Sequence, residues 1–358
     1  IVVMGIAETL LRIPDKSNRL TYLKDQLQKQ KWTFDDLKKE SFFVKLMTHG
    51  LSITSRMFNP SSRVEEILTK VPNYILEKAI TEGIELLARN FIIGEKNKDI
   101  PKILKNQKNL VSFDILGEAA RTQDIADQYF KAYEDAITYL EPFATAPNAQ
   151  DNPGISIKLS ALDPLYIFRK TDRLFHKVYP RILSLVQACK KSNLNLMIDA
   201  EETERLDPSL QLIQKIIEEC SFDHWEGFGF VVQAYQKRAK KVLEWVYPLL
   251  KKHNKKIAIR LVKGAYWDSE IKKAQQQGLQ DYPVFTCKTH TDLSYLSCTQ
   301  TLFEYNTHIY PQFATHNAFT VACILFLAKE SNVFEFQRLY GMGKPLFDKL
   351  QTDHPNLR

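Results

Sequence analysis

The sequence predicts a distorted TIM-like (β/α)8 barrel that lacks its eighth βα unit and is preceded by an all-helical segment. Three observations predict it. Up to about residue 105 the apolar spacing is helical with no strand signal. From about residue 110, short apolar runs alternate with longer amphipathic stretches, the pattern of repeating β-α units. Polar side chains then recur on one parity at the C-terminal ends of those runs.

The helical lead, residues 1–105, has Pro14, Thr33, Ser61 and Pro72 where helices should begin. Its opening stretch, Ile1 to Leu11, carries Glu8 and has no basic lead or small-residue cleavage site, so it reads as helix rather than signal peptide. In Tyr74 to Ile92 the residues Ile75, Leu76, Ile80, Ile84, Leu87 and Phe91 form one broad stripe, expected to pack against the domain that follows. Residues 106–350 form the expected barrel and 351–358 a polar tail. The candidate strands are Leu110 to Leu116, Gly154 to Ser160, Leu194 to Asp199, Gly227 to Gln233, Lys256 to Val262, Ile309 to Thr315 and Val333 to Leu339. Helical patterns such as Thr122 to Leu140, Ala239 to His253 and Phe319 to Lys329 follow them.

Composition agrees with this architecture and excludes several function classes. Of 358 residues, 44% are hydrophobic and 25% charged, a balance unlike that of disordered, fibrous or membrane chains. Charge interrupts every apolar stretch before it could span a bilayer. Five cysteines in no CxxC spacing fit a reducing cytoplasm, and eight histidines without an HExxH pattern give no metal site. The net charge of +7 is densest at Gln236 to Lys241 and Lys251 to Lys256. Between them Val242, Leu243, Val246 and Leu249 repeat at helical spacing, so the lysines read as a solvated outer face and no nucleic-acid contact is expected.

Strand parity carries the reading from fold to function. Ile155, Ile157 and Leu159, then Leu194, Leu196 and Ile198, then Ile257, Ile259 and Leu261, and finally Phe334 and Phe336 share the helix-facing parity. The opposite parity places Lys158, Asp199, Gln233, Arg260, His316 and Gln337 near the C-terminal ends. Barrel active sites are built at that end from the tips of several strands. Unpaired charge in the interior costs several kcal/mol, so Lys158 and Arg260 require partners, either Asp199 and Glu118 or a bound anion. The run Arg260-Leu261-Val262-Lys263-Gly264-Ala265-Tyr266-Trp267-Asp268 adds a glycine where a ligand could approach the backbone, with a guanidinium and an aromatic ring beside it. That combination suits a planar electron-accepting cofactor, and no G-x-G-x-x-G follows a strand to favour a Rossmann site.

The runs RLVKGAYWDSEIKKA, GISIKLSALDP, LMIDAEETERLD, GFGFVVQAYQKRA, YPQFATHNA and FQRLYGMGKPL, with LLRIPDKSNR in the helical lead, resemble the proline dehydrogenase domain of bacterial bifunctional proline utilization A. The resemblance implies noncovalent FAD, oxidation of L-proline to Δ1-pyrroline-5-carboxylate by hydride transfer to flavin N5, and delivery of electrons to membrane quinone. It also implies a cytoplasmic enzyme peripheral to the inner membrane, with an aldehyde dehydrogenase domain in the full-length chain. By motif, Arg260 contacts the flavin near N5 and Gln233 its pyrimidine side, with Val262, Lys263, Gly264, Ala265 and Trp267 lining it. Thr286 and Lys288 of TCKTHTD, Thr315, His316 and Asn317 of ATHN, and Gln337 of FQRL are further FAD contacts. Lys158 pairs with the substrate carboxylate, Tyr266 packs over the pyrrolidine, Asp199 holds the polar network and Glu118 neutralises a nearby cation. A catalytically impaired member of the same family and a folate-type flavin reductase are the alternatives. The family continues past GMGKPL into an eighth strand and an arginine-bearing helix that cover the flavin and grip proline. Without them the 358-residue chain is expected to bind FAD weakly.

Overall fold

The protein is described here from a computed structural model covering residues 92–94 and 96–358, except 116, 168–169, 330–332 and 354–357, together with isolated positions between 15 and 25. Expectations for the helical lead up to residue 91 lie outside these residues. The chain divides into two compact units at Ile93/Gly94, so the helix α1 (Ile100–Asn106) belongs to the second unit.

That unit is a curled sheet of seven parallel strands in sequential order: β1 (Ser112–Asp114), β2 (Gly154–Ile157), β3 (Asn195–Ile198), β4 (Phe228–Gln233), β5 (Ile257–Val262), β6 (Ile309–Ala314) and β7 (Glu335–Gln337). Every ladder joins successive strands, as in Val231 opposite Arg260 and Arg260 opposite Gln312. The connecting helices are α2 (Gln123–Leu140), α3 (Tyr179–Lys191), α4 (Leu206–Glu219), α5 (Ala239–Lys252), α6 (Trp267–Gln276), α7 (Lys288–Glu304) and α8 (Ala318–Ala328), and α9 (Lys344–Asp353) follows β7. Their starts follow local chemistry. The Thr122 hydroxyl accepts from the Ile125 N–H at 3.3 Å to cap α2, and Asn317 Oδ1 accepts from the Thr320 N–H at 2.9 Å to cap α8.

The predicted parity holds. Ile155, Ile157, Leu196, Ile198, Ile257, Ile259, Leu261, Phe334 and Phe336 are buried on the helix side. Leu159 lies beyond β2 in a 3-10 turn, Leu159–Ala161, which ends that strand earlier than expected. On the other parity Met197, Val231 and Ala258 pack together with Val262 and Tyr310, filling the barrel axis. The outermost strands β1 and β7 are shorter than the apolar runs implied, since each has one strand neighbour and less to gain from extension.

The tail is not simply polar. The segment through Asp353 completes α9, and Arg358 is buried beside β7. Its N–H donates to the Phe336 carbonyl at 2.9 Å and its carbonyl accepts from the Arg338 N–H at 3.0 Å, so the chain takes the position of an eighth strand at this residue. The guanidinium pairs with Glu335 at 3.0 Å and donates to the carbonyls of Asn152 at 2.9 Å and Gln150, reaching the segment before β2.

Candidate active site

Residues from four strands meet in one charged cluster. Lys158 follows β2 directly, Asp199 follows β3, Asp114 ends β1 and Arg260 lies within β5. The Lys158 ammonium donates to Asp114 at 2.8 Å and to Asp199 at 3.1 Å. From across the barrel, Arg260 donates to Asp199 at 3.2 Å, to the Ser156 hydroxyl at 3.0 Å and to the Ser112 hydroxyl at 3.3 Å. Two cations therefore face two carboxylates, and Asp199 serves both. Lys158, Asp199 and Arg260 keep only 14%, 15% and 12% of their side-chain surface, so pairing is obligatory.

Burial works against the Lys158 ammonium, but the carboxylates of Asp199 and Asp114 outweigh it and hold the pKa above the ordinary lysine value. Burial, reinforced by Asp199, pushes Asp114 above the usual carboxylate range, while Lys158 and Arg260 pull it back. Burial lowers the Arg260 pKa against the attraction of Asp199 and Glu335. A guanidinium remains charged regardless.

Two buried atoms on adjacent strands have no protein partner among the described residues: Arg260 Nε and Gln312 Oε1. An unused cationic donor beside a charged mouth is a fit for a bound electron acceptor that gathers negative charge.

Tyr266 stands between β5 and α6. Its hydroxyl donates to Glu118 at 3.0 Å, so Glu118 meets this phenol while Asp114, rather than Glu118, is the second partner of Lys158. Burial, then the Glu118 charge, raises the Tyr266 pKa above the ordinary phenol range. A belt of hydrogen bonds links the loops beneath: the Ala119 N–H donates to the Ser160 hydroxyl at 2.8 Å, and the Ser160 N–H donates to the Glu201 carboxylate at 3.0 Å. Gln233 Nε2 donates to the Glu201 carbonyl at 2.8 Å, and the Ala265 N–H donates to Gln233 Oε1 at 3.2 Å. Gln233 is thus a scaffold bridge with one amide hydrogen and one lone pair left over.

The remaining expected residues divide differently. Val262 faces the barrel axis. Lys263 turns outward to Asp292 and the Thr320 hydroxyl, and Lys288 pairs with the same Asp292. Gly264 is required by the backbone itself: its φ is +139° and a Cβ there would lie 2.4 Å from the Tyr235 ring. Trp267 donates its indole N–H to the Phe285 carbonyl at 2.9 Å, which holds the exposed Thr286 segment near the mouth. The Thr315 hydroxyl accepts from the Asn317 N–H, and Asn317 caps α8. His316 Nε2 accepts from the Leu339 N–H at 3.0 Å, and burial followed by Arg338 lowers its pKa. Gln337 donates to Glu335. Sequence reasoning missed Asp114, Ser112 and Ser156. The signal was available in Ser112-Phe113-Asp114, where polar residues flank one buried ring with strand parity.

A parallel sheet curled into a β/α barrel, with charged side chains converging at the C-terminal ends of its strands, defines the class of protein: a β/α barrel with its polar groups gathered at one mouth. The chain belongs to the proline dehydrogenase family, whose profile, described as proline dehydrogenase, matches residues 98–358. Residues 1–91 match a second one, described as the DNA-binding domain of proline dehydrogenase, against the expectation of no nucleic-acid contact in this segment. Among curated relatives, the bifunctional protein PutA of Salmonella typhimurium is 40% identical over 98% of this chain and that of Escherichia coli 39%. The chain spans about a quarter of their length, 27% in each case. A crystal structure of Bradyrhizobium japonicum proline utilization A, mutant D778Y, is 39% identical with a TM-score of 0.75, covering 99% of this chain and 37% of that one. Among the described residues no helix is long and apolar enough to cross a membrane.

Proposed function

We propose that this chain carries an FAD-dependent proline dehydrogenase site that oxidises L-proline to Δ1-pyrroline-5-carboxylate. The observation that carries the reading is the shared Asp199 carboxylate, which presents Lys158 and Arg260 side by side at the barrel mouth. FAD, when bound, supplies the two-electron acceptor. Arg260, with its free Nε–H, faces the region where negative charge gathers and stabilises it there. Lys158 holds the substrate carboxylate as a point charge, and Tyr266, fixed by Glu118, packs over the pyrrolidine ring. The carboxylates of Asp199 and Asp114 pair with the ammonium and the guanidinium and hold both at the mouth. Quinone as final acceptor and a following aldehyde dehydrogenase domain extend the same reading to the parent protein, and DNA contact by residues 1–91 is its third part.

The test is to purify the protein with flavin and to follow flavin bleaching on adding proline anaerobically. The protein should bind FAD and bleach with proline. Bleaching by NADH but not proline would overturn the reading in favour of a folate-type reductase.

A further inference from the structure

Glu270 is a carboxylate with 3% exposure that the proposed chemistry does not use. It lies in the first turn of α6, whose N-cap is Tyr266, and its own N–H donates to the Tyr266 carbonyl at 2.9 Å. Its side chain leaves the helix and grips the loop after β3: the Thr203 N–H donates to one carboxylate oxygen at 2.6 Å and the Thr203 hydroxyl to the other at 2.5 Å. Thr203 stands four residues after Asp199. A carboxylate that only complemented the helix dipole would gain as much from the solvent-exposed face. Burying it is costly and requires bonds at both oxygens, which one threonine supplies.

We propose that Glu270 is a positioning residue that, through Thr203, sets the Tyr266 ring against the Asp199–Lys158 pair. The inference rests on the proline dehydrogenase reading for what Tyr266 does, but not for the geometry. The Gln233 bridge fixes the backbone at Ala265 alone, and a chain pivoting there could still swing the next residue. The Glu270 clamp lies on the far side of Tyr266, so the aromatic residue is held between two anchors, both of which end on the β3 loop. Tilting α6 would move the ring and leave the Lys158, Asp199 and Arg260 cluster where it is, because none of its bonds runs through α6.

The test has two arms. In the flavin-free chain, hydrogen exchange is measured for Glu270→Gln and Thr203→Ala; the amides at Thr203 and across 266–271 should lose protection by about tenfold while β2, β3 and β5 keep theirs. Unchanged protection at both places would overturn the proposal. In the flavin-loaded protein, Glu270→Gln should raise KM for proline about fivefold with a smaller change in kcat, Thr203→Ser should restore the parent value, and Glu270→Gln should add less than about twofold in a Tyr266→Phe background. Fully additive effects would overturn it, since Glu270 would then act elsewhere than through Tyr266. If the parent protein does not oxidise proline at all, the functional reading fails while the exchange arm still decides the clamp.

Discussion

Among the described residues, Arg260 and Arg358 are two enclosed guanidiniums of this barrel, and they are treated in opposite ways. Arg358, at the end where the strands begin, spends every side of its fork on Glu335 and the carbonyls of Gln150 and Asn152. Arg260, toward the end where the strands finish, shares one carboxylate with Lys158, leans on two serine hydroxyls and leaves Nε unused. A satisfied charge locks neighbouring segments together, and an unsatisfied one is available to something that binds. The difference teaches that the charge at the barrel's bottom is spent on joining segments, whereas the charge at its top keeps hydrogen-bonding capacity in hand.

The comparison breaks most visibly at Glu335. Replacing Glu335 with Ala strands a guanidinium that is 2% exposed, and stability measured by urea unfolding should fall by about 3–5 kcal/mol. Replacing both Glu335 and Arg358 with Met should recover most of that loss. If the single change costs less than about 1 kcal/mol, Arg358 is not a closing device.

At the other end, Arg260→Met should cost less stability, because Asp199 keeps Lys158 as a partner. Its effect should appear in the bound flavin instead. Removing the cation should lower the two-electron potential by on the order of 30 mV, equal to about 1.4 kcal/mol. An unchanged potential in the flavin-loaded protein would place Arg260 with Arg358 among structural charges.

Much of this contrast was legible in the sequence because strands obey a period of two. The same parity that buried Ile155, Ile157 and Leu196 aimed Lys158, Asp199 and Arg260 inward. Partner choice was not legible. Glu118 and Asp114 stand four residues apart in the β1 region, and only the curl of the sheet decides that Asp114 reaches Lys158 while Glu118 meets Tyr266. Arg358 was hidden for a related reason: its strand position comes from pairing to Phe336 and Arg338, which no pattern within 351–358 announces. Gly264 read as room for a ligand, and the sheet adds a demand that no local pattern shows: a Cβ there would lie 2.4 Å from the Tyr235 ring, in the loop after the neighbouring strand.

The smallest expected effect is a pH dependence that reads the Lys158 pairings directly. The ammonium is held above its ordinary 10.5 because the Asp199 and Asp114 carboxylates outweigh the burial that disfavours it. Below about pH 10.4 the lysine is protonated in both folded and unfolded chains, so its pairing contribution is fully present. Above that, the unfolded chain releases the proton first while the folded one retains it, and stability falls as pH rises through the folded value. The Tyr133 hydroxyl, which accepts from the Lys158 N–H at 3.1 Å, is itself pushed by burial above the ordinary phenol range and stays neutral across this window. Lys158→Met should therefore differ from the parent by a constant amount, about 1 kcal/mol, between pH 7 and about pH 10, with the gap shrinking only at higher pH. Urea unfolding of both proteins along that series provides the measurement. A parent that instead gains stability relative to Lys158→Met as pH rises from 8 to 10 would mean that burial dominates, that the pKa lies below the ordinary value, and that Asp199 and Asp114 do not hold a charged ammonium at the mouth.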